Sequence, residues 1–187
     1  MLRPRRETVI EDAVINNADQ LGFPDSLAIR NCRLAMPTGR VDVVLLPPSG
    51  PVKLVLVEAK VSSASDAASK VVGQLLMYYG GALNLGTRGL TLMRKFADQH
   101  RERALAITPI TPKMLTGGVS PPDRAFGVLH QGERLTPKQI RLFIALDGDS
   151  HRGLGPTLGP LQRHHGLDIG LVIVRKGKIE RVVNQHE

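Results

Sequence analysis

Residues 54–57 read Leu-Val-Leu-Val within the segment "VKLVLVEAKV" (52–61). Successive side chains of a strand point to opposite faces, so such a run puts apolar groups on both. A strand of that kind sits in the middle of a sheet and is covered on both sides. The segment before it, "GRVDVVLLP" (39–47), is a second strand, and "PPSGP" (47–51) is the turn that joins the two. Charges nevertheless enter where the sheet should be most apolar. Asp42 lies near the start of the first strand, and Glu58 and Lys60 lie near the end of the second. Burying such groups costs several kcal/mol each unless they are paired or bind something.

The rest of the chain supplies the layers. Ile10, Ala13, Val14 and Leu21 recur at helical spacing before Gly22, which predicts a helix over 7–21. "SLAIRNCRLAM" predicts a strand over about 27–35. A second helix is expected over 66–83, with Ser65 as its N-cap. Regularity then falls off. Residues 87–106 read as helical and strongly basic, and 108–127 are broken by Pro and Gly. Strand character returns over 140–148. A hairpin over 170–183 should turn at Lys176-Gly177, with a short helix in "GPTLGPLQRHHG" before it. The expected architecture is a single α/β domain, 1–187. Its core spans about 7–83 plus 140–183 in the order αβββαβ, and an irregular insertion occupies about 86–138.

Composition narrows the partners. Aromatic residues are 3% and Trp is absent, so a core must be built from Val, Leu, Ile, Ala and Met. Lys and Arg number 25 against 17 Asp and Glu, a net charge of +8, and the sequence pI is about 10.1. This balance favours a polyanion, either nucleic acid or an anionic membrane surface. The alternative is that the charge only aids solubility. A single cysteine, Cys32, has no partner for an internal disulfide or a zinc site, which suits a reducing cytoplasm, and it reads as a small core residue. The basic N-terminus is followed by no apolar signal-peptide core, and no run approaches the roughly 20 apolar residues of a membrane span. No membrane partner is expected, and a homodimer is left open.

Glu58 and Lys60 point to one face of their strand, about 6–7 Å apart. If the two strands pair as a hairpin, Asp42 comes beside Glu58. Adjacent carboxylates repel unless a cation lies between them, and oxygen ligands of this type suit Mg²⁺ or Mn²⁺. Lys60 beside such a cation can hold or activate a water and offset charge on a phosphorane-like transition state. The competing account is a same-face salt bridge between Glu58 and Lys60, with Asp42 accepting turn hydrogen bonds.

Asp42, then Glu58-Ala59-Lys60, then a helix carrying Gln74 and Tyr78, resembles the PD-(D/E)XK nuclease superfamily. The stretch is especially similar to the nuclease domains of RecB-like enzymes and of archaeal-type mismatch and branched-DNA endonucleases. It covers about residues 7–80, and Val41 stands where the family name has proline. The resemblance implies a restriction-endonuclease-like α/β core, with a mixed sheet between helices, and Mg²⁺-dependent hydrolysis of nucleic acid. It makes Asp42 and Glu58 metal ligands, the Ala59 carbonyl a third, and Lys60 the group that positions the attacking water. It turns a stripe of Lys70, Gln74 and Tyr78, four residues apart, toward the metal site and the DNA backbone. Without it, Gln74 and Tyr78 only border the apolar face of Val72, Leu75, Leu76, Tyr79 and Leu83. In related nucleases the first helix often supplies another acid. Glu11 is the candidate ligand and catalytic residue, Glu7 its rival, and a capping box from Thr8 to Glu11 the structural alternative.

Arg40, Lys70, Arg88, Arg94 and Lys95 are the candidate phosphate contacts, with Arg101 and Arg103 on the same basic segment. "DGDSH" (147–151) with His164-His165 reads as a turn rather than a metal site. "GLGPTLG" lacks the Gly-Lys-Ser/Thr of a phosphate loop. The expectation is thus a Mg²⁺-dependent endonuclease acting on DNA, with Mn²⁺ able to substitute. Two rivals stand beside it: a catalytically silent nucleic-acid-binding subunit with the same fold, and a basic protein-interaction module.

Overall fold

The structure, a computed structural model, describes residues 6–34, 39–61, 67–86, 91, 134–148 and 154–183. The doubly apolar run forms β3 (Leu54–Val61), third in a six-stranded open mixed sheet. β1 (Leu27–Arg33) and β2 (Arg40–Leu46) precede it; β4 (Ile140–Asp147), β5 (Ile169–Arg175) and β6 (Lys178–Val183) follow. The strands lie side by side in chain order. β1, β2 and β3 are antiparallel neighbours, β3, β4 and β5 are parallel, and β6 turns back antiparallel. The helices are α1 (Arg6–Asn16), α2 (Ala67–Leu83) and α3 (Gly155–His165). A short 3-10 helix, Pro137–Gln139, leads into β4.

Alternation along β3 builds two cores. Leu54 and Leu56 pack with Leu142 and Ile144 of β4, under Val71, Leu75, Tyr78 and Ala82 of α2 and Leu158 of α3. Val55, Val57 and Ala59 pack with Phe143 and Ala145, under Ile10, Ala13 and Val14 of α1. Phe23 meets Phe143 edge-on, with ring centroids 6.2 Å apart. Arg141 lies 5.1 Å over that Phe143 ring and pairs with Asp168, so this buried guanidinium is satisfied. Cys32 is buried, and burial pushes its thiol up to about 12, as a core residue requires.

The expected elements form, with shifted ends. α1 stops at Asn16 rather than 21. Asn17 Nδ2 donates to the Ala13 carbonyl at 2.7 Å, and turns carry the chain to Gly22 at φ 88°. Asn side chains compete with the helix ladder in this way. The helix also begins before Thr8, so Thr8 lies inside it and no Thr8–Glu11 capping box forms. β1 ends at Arg33, two residues before the expected end. The β5–β6 hairpin turns at Lys176 and Gly177, with φ of 52° and 73°, the double positive φ of a type I′ turn. α3 ends at Gly166, left-handed at φ 63°, whose amide donates to the Gln162 carbonyl at 2.9 Å. The Ser65 N-cap lies outside the described residues. So do the basic helix, apart from Thr91, and the Pro/Gly-rich stretch, and with them Arg88, Arg94, Lys95, Arg101 and Arg103. Among the described residues no helix is long and apolar enough to cross a membrane.

One correction concerns α2. Val72 and Leu75 of the expected apolar face are buried, together with Val71, Tyr78 and Ala82, while Leu76, Tyr79 and Leu83 are only partly buried. Tyr78 therefore belongs to the core-facing stripe and not to a separate polar one. This assignment has a direct test. Leu75 is fully buried and Met77 is 54% exposed. Leu75→Ala should cost about 2–5 kcal/mol in urea unfolding, and Met77→Ala less than about 0.5 kcal/mol. Comparable losses for the two would mean that α2 docks on another face.

Candidate active site

The site begins in the β2–β3 register. Val43 pairs with Val57, Val44 with Leu56 and Leu45 with Val55. One step further the same register sets Asp42 opposite Glu58, and cross-strand partners share a face. That face is the one bearing Leu54, Leu56 and α2. Past Val43 the side chain of Asp42 takes up a backbone donor of β3: the Ala59 amide donates to Asp42 Oδ2 at 2.8 Å. The sheet thus ends its β2–β3 pairing on a carboxylate.

Lys60 follows Glu58 on the same face. Its Nζ lies 3.0 Å from Glu58 Oε1 and 3.8 Å from Glu7 Oε1 on α1. Glu58 is 1% exposed, and Lys60 pairs with its Oε1. Burial pushes the Glu58 carboxyl up to about 7; Asp42 adds repulsion and Lys60 opposes it. Burial raises Asp42 as well, against the Ala59 amide and Lys60. For Lys60 burial works against the charge, but Glu58, Asp42 and Glu7 outweigh it, and its pKa lies above the ordinary lysine value. Lys60 is accordingly an ammonium at neutral pH.

Helix α2 supplies the rest of the wall. The Tyr78 hydroxyl donates to the Arg40 carbonyl at 2.8 Å and so ties the start of β2 to the helix. A Cβ at Gly39 would meet that hydroxyl at 3.5 Å, an ordinary van der Waals contact, so Gly39 lies directly against the Tyr78 ring end. Burial raises the Tyr78 pKa, and Glu58 and Asp42 raise it further, while a hydrogen bond from Gln74 opposes them. Tyr78 thus feels both carboxylates, and Gln74 reaches Tyr78. Arg40 is exposed at the head of β2, and Lys70 is exposed on α2.

The first helix behaves differently from its expected part. Glu11 is buried, but its Oε2 takes Arg30 Nη1 at 2.7 Å, and Arg30 also holds Asp12. Burial raises the Glu11 pKa, Arg30 opposes, and Asp42 adds to the rise, so Glu11 feels the site without contacting Lys60. Glu7 is the acid that approaches Lys60. Its signal in the sequence was its place four residues before Glu11, on one helix stripe. Arg30, the partner that claims Glu11, carried no comparable signal.

Among the described residues no group of three or more His, Cys, Asp or Glu side chains is arranged to hold a metal. His164 and His165 are exposed in the last turn of α3, and Gly148 turns the chain after Asp147 at φ 87°. The two-carboxylate set still suits a hard cation. It has two acids on one face, and the buried one meets the Lys60 ammonium through Oε1 at 3.0 Å. No protein-family model, no curated protein and no solved structure matches the chain.

The raised carboxyls make stability depend on pH with a definite sign. Glu58 holds its proton more tightly folded, at about 7, than at its ordinary value of 4.5. The folded state therefore binds more protons between those values, and stability falls as pH rises through them. In chelator, urea unfolding of the wild type should lose on the order of 3 kcal/mol between pH 4.5 and pH 8. Glu58→Gln should lack most of that loss. Equal pH profiles for the two proteins would show that Glu58 is not held in this state.

Proposed function

We propose that the chain is a metal-dependent nuclease that hydrolyses phosphodiester bonds in DNA, on a restriction-endonuclease-like core. One observation carries this reading: Glu58, buried at the end of β3, lies beside Asp42 on one face, with the ammonium of Lys60 3.0 Å from its Oε1. A purely structural ion pair would not need the second acid, Asp42, whose charge works against ionising Glu58. The +8 net charge supports a polyanionic substrate.

Asp42 and Glu58 would hold the cation, with the Ala59 carbonyl as a third ligand. Bound there, Mg²⁺ or Mn²⁺ would polarise the scissile phosphate and lower the pKa of the attacking water. Lys60 stays protonated, so it acts as a cation and hydrogen-bond donor rather than a base. It orients the water and offsets charge developing on the phosphoryl oxygens. Glu7 and Glu58 hold Lys60 between them. Tyr78 positions Asp42 indirectly, by fixing the Arg40 carbonyl two residues away, and Gln74 supports Tyr78. Asp42 itself is steadied by the Ala59 amide.

The deciding experiment is cleavage of single-stranded, duplex and branched DNA with and without Mg²⁺ or Mn²⁺. Wild type should cut at least one of them only with the cation. Asp42→Asn should abolish both cutting and cation binding by calorimetry. DNA binding that survives with no cutting under any condition would instead identify the silent binding subunit.

Lys60→Ala separates chemistry from folding. The cleavage rate should fall about 10²-fold or more, as loss of a preorganised electrostatic group commonly produces. DNA affinity should change little, since Lys60 is one of 25 basic residues. Thermal stability with Mg²⁺ present should hold. A variant that melts far earlier yet cuts normally per folded molecule would remove Lys60 from the mechanism.

A further inference from the structure

The last hairpin turns at the same end of the sheet as the carboxylates. β3, β4 and β5 are parallel, so Lys60 aligns with Leu146 and Leu146 with Ile173. Ile173 pairs in turn with Arg181 of β6. Lys60, Leu146, Ile173 and Arg181 form one row across four strands, on the face that carries Glu58. At about 4.8 Å per strand interval the row runs about 14 Å. One pleat beyond Ile173 come Arg175 and its cross-strand partner Lys178, again on that face.

A regular strand would not arrange these cations so. Lys178 and Arg181 are three residues apart and would point to opposite faces. The register slips between Ile173 and Val174, with Val174 opposite Ile179 and Ile173 opposite Arg181, which leaves Glu180 as the extra residue. This bulge re-aims Arg181 to the side of Lys178. Ile179 and Val182 confirm the geometry: also three apart, both pack on the opposite, α1-side core.

Two more local preferences are set aside at this tip. Arg175 and Lys178 are like charges placed directly opposite, an unfavourable pair. Lys176 holds a φ of 52° in a turn that favours Asn, Asp or Gly. The only acid between 175 and 181 is Glu180, which pairs with Arg175 Nε at 3.0 Å. Arg175, Lys176, Lys178 and Arg181 are all exposed. Local rules broken together, each leaving a cation outward, mark a surface shaped for something other than stability.

We infer that this hairpin face is a docking strip for the phosphate backbone of duplex DNA flanking the scissile bond. Arg181 meets a phosphate about 14 Å from Lys60, roughly four base-pair rises of 3.4 Å away, and Lys178 meets one slightly farther on. The position of the scissile bond rests on the nuclease reading; the binding surface does not.

The test is duplex-DNA affinity by fluorescence anisotropy across a salt series, without cation, so that no cleavage is needed. The double variant Lys178→Gln/Arg181→Gln should bind more weakly at low salt. Its slope of log K against log salt should be shallower by roughly 1.8, about 0.9 for each lost contact. Arg181→Lys, which keeps the charge, should retain the slope. So should Lys138→Gln, which removes the same single charge as Lys178→Gln but from the 3-10 helix at the other end of the sheet. If the double variant melts early, Lys178→Gln alone should still shed about half the slope change. An unchanged slope in these variants overturns the strip, and so does an equal loss in Lys138→Gln, which would mean diffuse attraction. A wild type that does not bind duplex DNA overturns it as well. A wild type that binds through this strip but never cleaves with any cation retains the strip and removes the nuclease reading.

Discussion

Strand β3 has to be dry on both faces, and the rest of the fold follows from that. Neither α1 nor α2 can bury its apolar stripe except against this sheet, and neither face of β3 can be shielded without one of them. The antiparallel hairpin before β3 and the parallel strands after it place β3 in the middle of six strands, third in order. Only such a position removes Leu54 to Val57 from water on both sides. Each fully buried side chain of that size contributes about 1.5–3 kcal/mol of transfer free energy, which concentrates apolar stabilisation at the centre of the sheet.

The same dryness makes the C-terminal half of β3 unusual. Glu58 is carried into a place with little water by the strand that precedes it, not by any affinity of its own for the interior. Burial is the largest influence on the Asp42, Glu58 and Lys60 titrations alike, and the charges of the neighbours come after it. The pair energy of Lys60 and Glu58 does not fully offset that desolvation, since Glu58 remains displaced upward. A sheet centre strong enough to carry this cost and a buried carboxylate crowded by a second acid are two parts of one arrangement. The first makes the second tolerable, and the second is what a cation would relieve.

Charge is distributed around this centre in a consistent sense. The acids lie inside, at the β2–β3 boundary, and the cations lie outside, at the hairpin rim of the same sheet edge. A polyanion held by the rim would be brought up to a site whose own charge is negative before a cation enters. Electrostatics of that kind separates binding, which depends on exposed and salt-screened charges, from chemistry, which depends on buried ones.

Much of this was legible in the sequence. Periodicity and turn signals anticipated the three described α-helices and the six strands, though not the 3-10 helix before β4, because such signals are local properties of the chain. It also put Asp42, Glu58 and Lys60 on one face, since pairing across a short turn needs only the register of two adjacent strands. What only the tertiary structure decided involves partners distant along the chain. Arg30 of β1 takes Glu11, 19 residues away, and leaves Glu7 to approach Lys60. Tyr78 leaves the polar stripe for the core because its hydroxyl finds the Arg40 carbonyl, 38 residues back. The bulge at Glu180 overrides simple alternation and turns Arg181 to the face of Lys178. A sequence pattern records which way a side chain points from its own backbone. It does not record which groups, brought from elsewhere by the packing of helices on a sheet, will be there to meet it.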